Sequence, residues 1–488
     1  MQIETMLTAV DWAVVVIMLP LAGGIACFLW PVMSKQLGLI TVTGIALSVA
    51  GLGWRIMEHG AYRHAVGGWG APLGIDLFAD GLSLCMLIMI TTVGLGISFY
   101  ASSYFESRRA VWFWPIWLFL LAALNALFLS ADIFNLYVTL ELTGLAAVAL
   151  TALTGRIDAL NGAMRYLLAM LLGSLTYLLG VALLYHDAGS VDIATLAQRI
   201  EPNATVWTAL GLMSAGLALK TALFPLNFWL PPAHASAPAP VSALLSALVV
   251  KASFYILLRL WLEIFGSFAD NAALLLGLLG ATAILWGSLQ ALCQTRIKLL
   301  VAYSTVAQIG YLFLAYPLAS GSNDMIWSVA VYLAFSHALA KSAMFLATGN
   351  LIQFGGHDRI TDLDRAVQRL PLTVAAFALA GVSIMGLPPS SGFTGKWLLL
   401  ETAVTQERWD LALVIIAGGV LAAGYVFKVL GYAFTQAEKP HDAKTVSASM
   451  EWTAFLLAAG AILLGFMAPE ILTLIRLDIA VNIDGKAV

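Results

Sequence analysis

The sequence predicts an all-α polytopic membrane protein of about fourteen transmembrane helices, the seventh and twelfth of them broken. Three observations carry this. Of the 488 residues, 61% are hydrophobic and 10% are charged, against about 25% charged in an average soluble protein. Apolar runs of about 17–25 residues, the length that crosses a bilayer, recur along the whole chain. Prolines interrupt two of those runs, at 219–240 and 386–396. A soluble core, a disordered tail and a single-span anchor are excluded. The formal charge of -3 lacks the basic excess that polynucleotide binding needs, so no nucleic-acid partner is expected.

The runs fall near residues 11–30, 38–56, 82–100, 111–130, 133–153, 161–185, 206–224, 241–262, 272–292, 298–316, 327–350, 371–399, 411–433 and 451–472. The first follows Glu4 and Asp11 with no Lys or Arg before Lys35, the opposite of a signal peptide's basic start, so this helix is expected to stay. Spans 1–3 occupy residues 1–110, spans 4–8 residues 111–266, spans 9–13 residues 267–433, and the last span with its tail residues 434–488. The connections are short, the longest at 57–81 and 186–205, and none is expected to fold alone. Loops after odd-numbered spans hold twelve Lys or Arg, including Arg156, Arg296, Lys298 and Lys439; those after even-numbered spans and the tail hold seven, including Arg63, Arg259 and Lys486. By the positive-inside rule both termini face outward.

The two broken spans are the best sequence pointer to a transport pathway, because freed backbone groups survive at membrane depth only against protein or a hydrated cavity. Their surroundings repeat. Lys220 precedes Lys251 by 31 residues, and Lys396 precedes Lys428 by 32. The prolines follow Lys220 but precede Lys396, so the match between the halves is imperfect.

Apart from the loop and helix-end groups, the basic residues are Lys220, Lys251, Lys341, Lys396 and Lys428, all lysines within apolar spans. Each costs about 2.5–3.5 kcal/mol at the bilayer centre, so they are expected to face a hydrated interior unless they snorkel to an interface. Lysine can release its proton and arginine cannot. The single deep carboxylate is Glu141, about ten residues or ~15 Å into its helix, near the expected depth of Lys251. A cation such as Lys220 moving beside Glu141 would toggle its proton affinity. His337 and Lys341, four apart, share a helix face on which an imidazole can bridge to the amine.

Softer groups, among them Ser174 and Gln308, can join these sites through water or serve packing alone. His234, beside the prolines of span seven, is a candidate gate to outside water. Asp76, Asp80, Asp132 and Asn135 carry oxygens for sodium but no spacing that fixes a cage, which leaves sodium open. Cys27, Cys85 and Cys293 are read as buried apolar fillers. No phosphate loop, nucleophile triad or metal-ligand set is visible; no cofactor, metal or catalytic residue is expected, and whether the chain belongs to an enzyme stays open.

The segments DIFNLYVTLE (132–141), KTALFPLNFWLPPAHASAPAPVSALLSALVVKASFYILLR (220–259), IKLLVAYSTVAQIGY (297–311), HALAKSAMFLATGN (337–350) and GLPPSSGFTGK (386–396) resemble the antiporter-like family shared by respiratory complex I and Mrp-type multisubunit cation/proton antiporters. Length and DIFNLYV favour the branch of D-type Mrp subunits. The resemblance implies fourteen helices with two inverted five-helix repeats, Glu141 and Lys220 as a coupled pair, Lys251 as central relay, His337 and Lys341 as intervening polar positions, and Lys396 as the far-half terminal site. Asn227, Pro232 and Arg296 depart from the family pattern, at the first half-channel and at the loop before span ten. The expected function is proton relay within a hetero-oligomer of membrane subunits in a bacterial plasma membrane. The rivals are a proton-channel module of complex I, a membrane-bound hydrogenase or an inorganic-carbon uptake complex, and a structural subunit.

Overall fold

In a bilayer every backbone polar group must be satisfied internally, and the chain answers with helices. The computed structural model describes residues 10–105, 107–319, 325–437 and 444–476. Glu4, Lys439 and Lys486, used above for charge placement, lie outside the described residues.

The first seven long helices are α1 (Trp12–Leu29), α2 (Ser34–His59), α3 (Gly81–Tyr104), α4 (Ser107–Phe128), α5 (Ile133–Thr151), α6 (Ile157–Ala188) and α7 (Ala204–Thr221). They are followed by α8 (Ala239–Phe265), α9 (Asp270–Cys293), α10 (Ile297–Phe313), α11 (Met325–Gly355), α12 (Pro371–Met385), α13 (Ser391–Thr405), α14 (Trp409–Phe434) and α15 (Ala448–Phe466). Among the described residues, twelve helices are long and apolar enough to cross a membrane. The protein is an integral membrane protein.

Helix α6 shows how sequence sets orientation. Leu168, Leu172, Leu175 and Leu179 form an exposed apolar stripe, while Tyr166, Gly173, Ser174 and Tyr177 on the opposite face are buried. Leucine suits lipid, so the small and polar residues are left to pack inward. Helices α8 and α11 are completely enclosed over their apolar windows, and these carry Lys251 and the His337–Lys341 pair. The costliest residues therefore sit on the elements furthest from lipid.

Both expected breaks are present. Helix α7 stops at Thr221, Ala222 turns with φ 59°, and a short helix, Leu230–Ser236, follows the non-helical stretch. Trp229 Nε1 donates to Leu219 O at 2.8 Å, satisfying one freed carbonyl. Helix α12 stops at Met385; Gly386 takes φ 81°, the left-handed region that favours glycine. Ser390 then caps α13 by accepting from Phe393 N at 3.2 Å.

The long connection after α2 holds a hairpin: Tyr62–Ala65 (β1) and Asp76–Ala79 (β2) pair antiparallel, Tyr62 opposite Ala79. Three expectations need correction. Cys293, at the end of α9, is exposed, whereas Cys27 and Cys85 are buried. Arg259 and Lys298, placed by sequence at helix ends, are both buried. Burial is tolerated for each because partners are at hand: Asp80 for Arg259, and the Ala237 carbonyl for Lys298.

Candidate functional site

Small residues decide how closely the helices around the first lysine approach. A Cβ on Gly173 of α6 would lie 2.9 Å from Gly216 O and 3.0 Å from Lys220 Cγ, so only glycine lets α6 lie this near α7. The result is an ion pair across three helices. Lys220 Nζ on α7 stands 3.5 Å from Glu141 Oε2 on α5, and Ser174 on α6 donates a hydrogen bond to the same oxygen. Lys220 is buried, while the Glu141 side chain keeps 19% exposure. Lys220 Nζ has no hydrogen bond of its own, so the pair is electrostatic and leaves room for rearrangement.

Thr221, next to Lys220, is 2.9 Å through Oγ1 from Ser253 Oγ, tying α7 to α8 two residues from Lys251. Lys251 follows a π-helical turn, Leu245–Val249, and its Nζ donates back to Ser246 O at 2.5 Å. Such turns recur at functional sites because they unlock backbone groups. Ser246 Oγ in turn lies 2.8 Å from Thr305 Oγ1 on α10. On α11, Lys341 Nζ donates to Val301 O at 3.0 Å and to Ser304 Oγ, both on α10. Three helices thus meet around two fully buried lysines.

The far half is built from the second break. Lys396 Nζ donates to Ile384 O at 2.6 Å, a carbonyl freed where α12 ends, and stands 4.2 Å above the Tyr311 ring centroid, a cation–π contact. Gln308 Nε2 reaches the same carbonyl at 3.4 Å. Gln308, Ser336, His337, Ser383 and Lys396 line a small cavity with space for about one water. His337 lies within electrostatic reach of Lys251, Lys341 and Lys396.

His337 and Lys341 share the expected face without a hydrogen bond between them; both ring nitrogens of His337 are buried with no protein partner. His234 is likewise fully buried and unbonded on both nitrogens, its ring stacked on Phe345 at 4.7 Å. It is an interior histidine within reach of Lys298, Lys341 and Lys251. Buried polar atoms of this kind are ordinarily satisfied by internal water. Lys428 lies apart from the others: Nζ donates to Leu292 O and Gln294 O at 2.7 and 2.8 Å, closing the carbonyl end of α9.

The acids weighed for sodium have other partners. Asp80 forks onto Arg259, Asp76 lies 3.7 Å from Arg63, and Asp132 accepts from Asn135 N at 2.5 Å. Burial, then the nearby charges of Asp192 and Asp76, raise the proton affinity of Asp132 despite its backbone hydrogen bonds. Among the described residues no group of three His, Cys, Asp or Glu is arranged to hold a metal. Arg296 pairs with Asp358 at 2.6 Å. Sequence reasoning missed Thr305, Tyr311 and Ser383, whose side chains look like packing residues until the breaks bring them to the lysines. It also missed the Arg259–Asp80 pair, although Arg259 stands eight residues after Lys251 on one helix face.

The sequence profile described as NADH:quinone oxidoreductase/Mrp antiporter, TM, matches residues 130–423, and that of NADH-Ubiquinone oxidoreductase (complex I), chain 5 N-terminus, matches residues 69–112. The chain is 33% identical over 461 residues to the N-type subunit of the NADH-quinone oxidoreductase of Desulforudis audaxviator, covering 89% of this chain and 91% of that protein. It is 29% identical over 436 residues to the D-type subunit of the Na(+)/H(+) antiporter of Alkalihalophilus pseudofirmus, covering 88% of each. Its fold matches a chain in the structure of the Mrp complex from Dietzia sp. with a TM-score of 0.89 at 22% identity, over 96% of this chain and 97% of that one. The chain belongs to the membrane-subunit family shared by NADH:quinone oxidoreductases and Mrp antiporters.

Proposed function

We propose that this chain is the proton-translocating subunit of a multisubunit monovalent cation/proton antiporter. Protons reach Glu141 and Lys220 from one face, pass to Lys251, continue past His337 and Lys341, and leave through Lys396. The observation that carries this is the Glu141–Lys220 pair, 3.5 Å apart with Lys220 buried and Glu141 partly exposed, standing at the head of lysines that each rest on a carbonyl or hydroxyl. The anion and cation stabilise each other, and displacing Lys220 changes how tightly Glu141 holds a proton. Each amine can accept and release a proton. The energy comes from an existing gradient or from partner subunits, and both chain termini face outward from a bacterial plasma membrane. Residues 111–266 and 267–433 act as two related halves, with His234 as a gate to the first.

In inverted vesicles carrying the assembled complex, Glu141→Gln and Lys220→Ala are expected to reduce coupled proton flux by on the order of 100-fold, the scale of losing a positioned proton-transfer group. Undiminished flux at equal assembly would reject the reading. A second reading, a proton channel inside a redox complex, draws support from the 33% identity to a quinone oxidoreductase subunit. Co-purifying flavin or iron–sulfur subunits would select it, and sodium-dependent flux without them the first.

A further inference from the structure

Helix α8 carries a second polar line, directed away from the relay. Lys251, Tyr255, Arg259 and Glu263 follow one another at four-residue spacing, which places them on one face. Arg259 is buried, and its partners enclose it. Nη1 and Nη2 donate to the two carboxylate oxygens of Asp80 at 2.5 and 2.9 Å. Nε and Nη2 donate to Tyr255 Oη at 3.3 and 2.9 Å, and Nη1 lies 3.7 Å from Glu263 Oε1. Tyr255 Oη itself donates to Phe128 O at 2.8 Å. Asp80 also caps α3, accepting from Ser83 N at 2.8 Å. Beyond this group stands a second arginine, Arg63, 3.0 Å from Asp192 and 3.7 Å from Asp76.

A proton wire needs groups that accept on one side and donate on the other. A guanidinium has five donors and no acceptor, and in proteins it does not give up its proton. Here the two groups that hydrogen-bond Arg259 are already committed: Asp80 accepts from Arg259 and Ser83, and Tyr255 accepts from Arg259 while its own proton points at a carbonyl; the partly exposed Glu263 lies beyond them, on the far side of the guanidinium from Lys251 along α8. Lys251, Lys341 and Lys396 are different, for each Nζ rests on one or two acceptors and can exchange its proton. We propose that Arg259, held by Asp80 and Tyr255, is a proton seal that closes the first half toward the Asp80 end of α8 and makes Lys251 reachable from one face only. The inference rests on the proposed function, in which Lys251 is a relay station. Without such a barrier, protons at Lys251 would return along α8 instead of moving on to Lys341, and the gradient would be short-circuited.

The test is passive proton permeability of proteoliposomes holding the assembled complex, driven by a potassium diffusion potential and read with an internal pH dye. Arg259→Lys keeps a cation against Asp80 but supplies an exchangeable proton; Arg259→Gln supplies both an acceptor and a donor. Both are expected to raise the leak roughly tenfold over wild type, a barrier lower by about 1.4 kcal/mol. Adding Lys251→Ala to either variant should return it to the wild-type level. A wild-type leak in assembled Arg259→Lys, or a leak that Lys251→Ala leaves untouched, overturns the seal. Failure of Arg259→Lys to assemble also overturns it, because it assigns the pair a purely structural role. Leak needs no coupled ion, so its outcome is separable from the Glu141→Gln flux test: active Glu141→Gln with a leaky Arg259→Lys would defeat the translocation route alone.

Discussion

Lysine stands at four stations of the proposed axis, Lys220, Lys251, Lys341 and Lys396, and arginine stands off it, at Arg259 further along α8. Lys341 makes the difference testable. An arginine at this position keeps the charge and can still donate to Val301 O and Ser304, yet it holds its proton permanently. Lys341→Arg is therefore expected to assemble normally and lose on the order of 100-fold in proton flux; flux near wild type would show that charge alone suffices there. Asp132 offers a pH test outside the spans. Its proton affinity is raised above the ordinary value of 3.8, first by burial and then by Asp192 and Asp76. The protonated form thus contributes stability that is complete below 3.8 and lost as pH rises through the raised value. Relative to Asp132→Asn, which stays neutral, the wild type should lose thermal stability across that window; parallel melting curves would contradict the assignment. Glu141 and the buried lysines were legible in sequence because a charge in an apolar run is conspicuous. Ser174, which donates to Glu141, was among the softer candidates, but Thr305 and the carbonyl of Ile384 were not legible, since nothing in either signals which turn will open beside it.

At the level of elements, close approach and broken helices do the positioning. Gly173→Leu on α6 would drive a side chain into Gly216 O and Lys220, at a cost of about 1–3 kcal/mol for overpacking. The Glu141–Lys220 pair should separate, and flux should fall more than the melting temperature suggests. Unchanged flux would mean that the 3.5 Å approach is not needed. At the second break, Gly386 has φ 81°, and a Cβ there would lie 2.8 Å from Lys396 Cδ. Gly386→Ala combines left-handed strain of about 1 kcal/mol with displacement of Lys396. It should impair flux while leaving Lys396→Ala no further effect; additive losses would separate the two residues. Hydropathy located the long spans because lipid demands about 20 apolar residues in a row. It could not find the β1–β2 hairpin, four residues per strand in a connection. Pairing across the intervening turn decides that, and a search for long apolar runs does not contain it.

For the whole molecule, the arrangement separates three environments. Leucine-rich faces such as that of α6 are exposed, α8 and α11 are enclosed, and the proposed axis runs from Glu141 through the enclosed pair to Lys396. The capping acids Asp80, Asp132 and Asp192 start α3, α5 and the short helix Ile193–Arg199, and bridges between residues 77 and 130 and between 132 and 192 knit those starts together. This layer fixes the helix ends while the interior holds amines on single carbonyls and hydroxyls. The central claim is that protons cross by way of Lys251, the station between the two halves. Its most direct measurement is proton flux through the assembled complex bearing Lys251→Ala, compared with wild type at equal abundance. The account predicts flux at the background of empty vesicles; flux equal to wild type would contradict it.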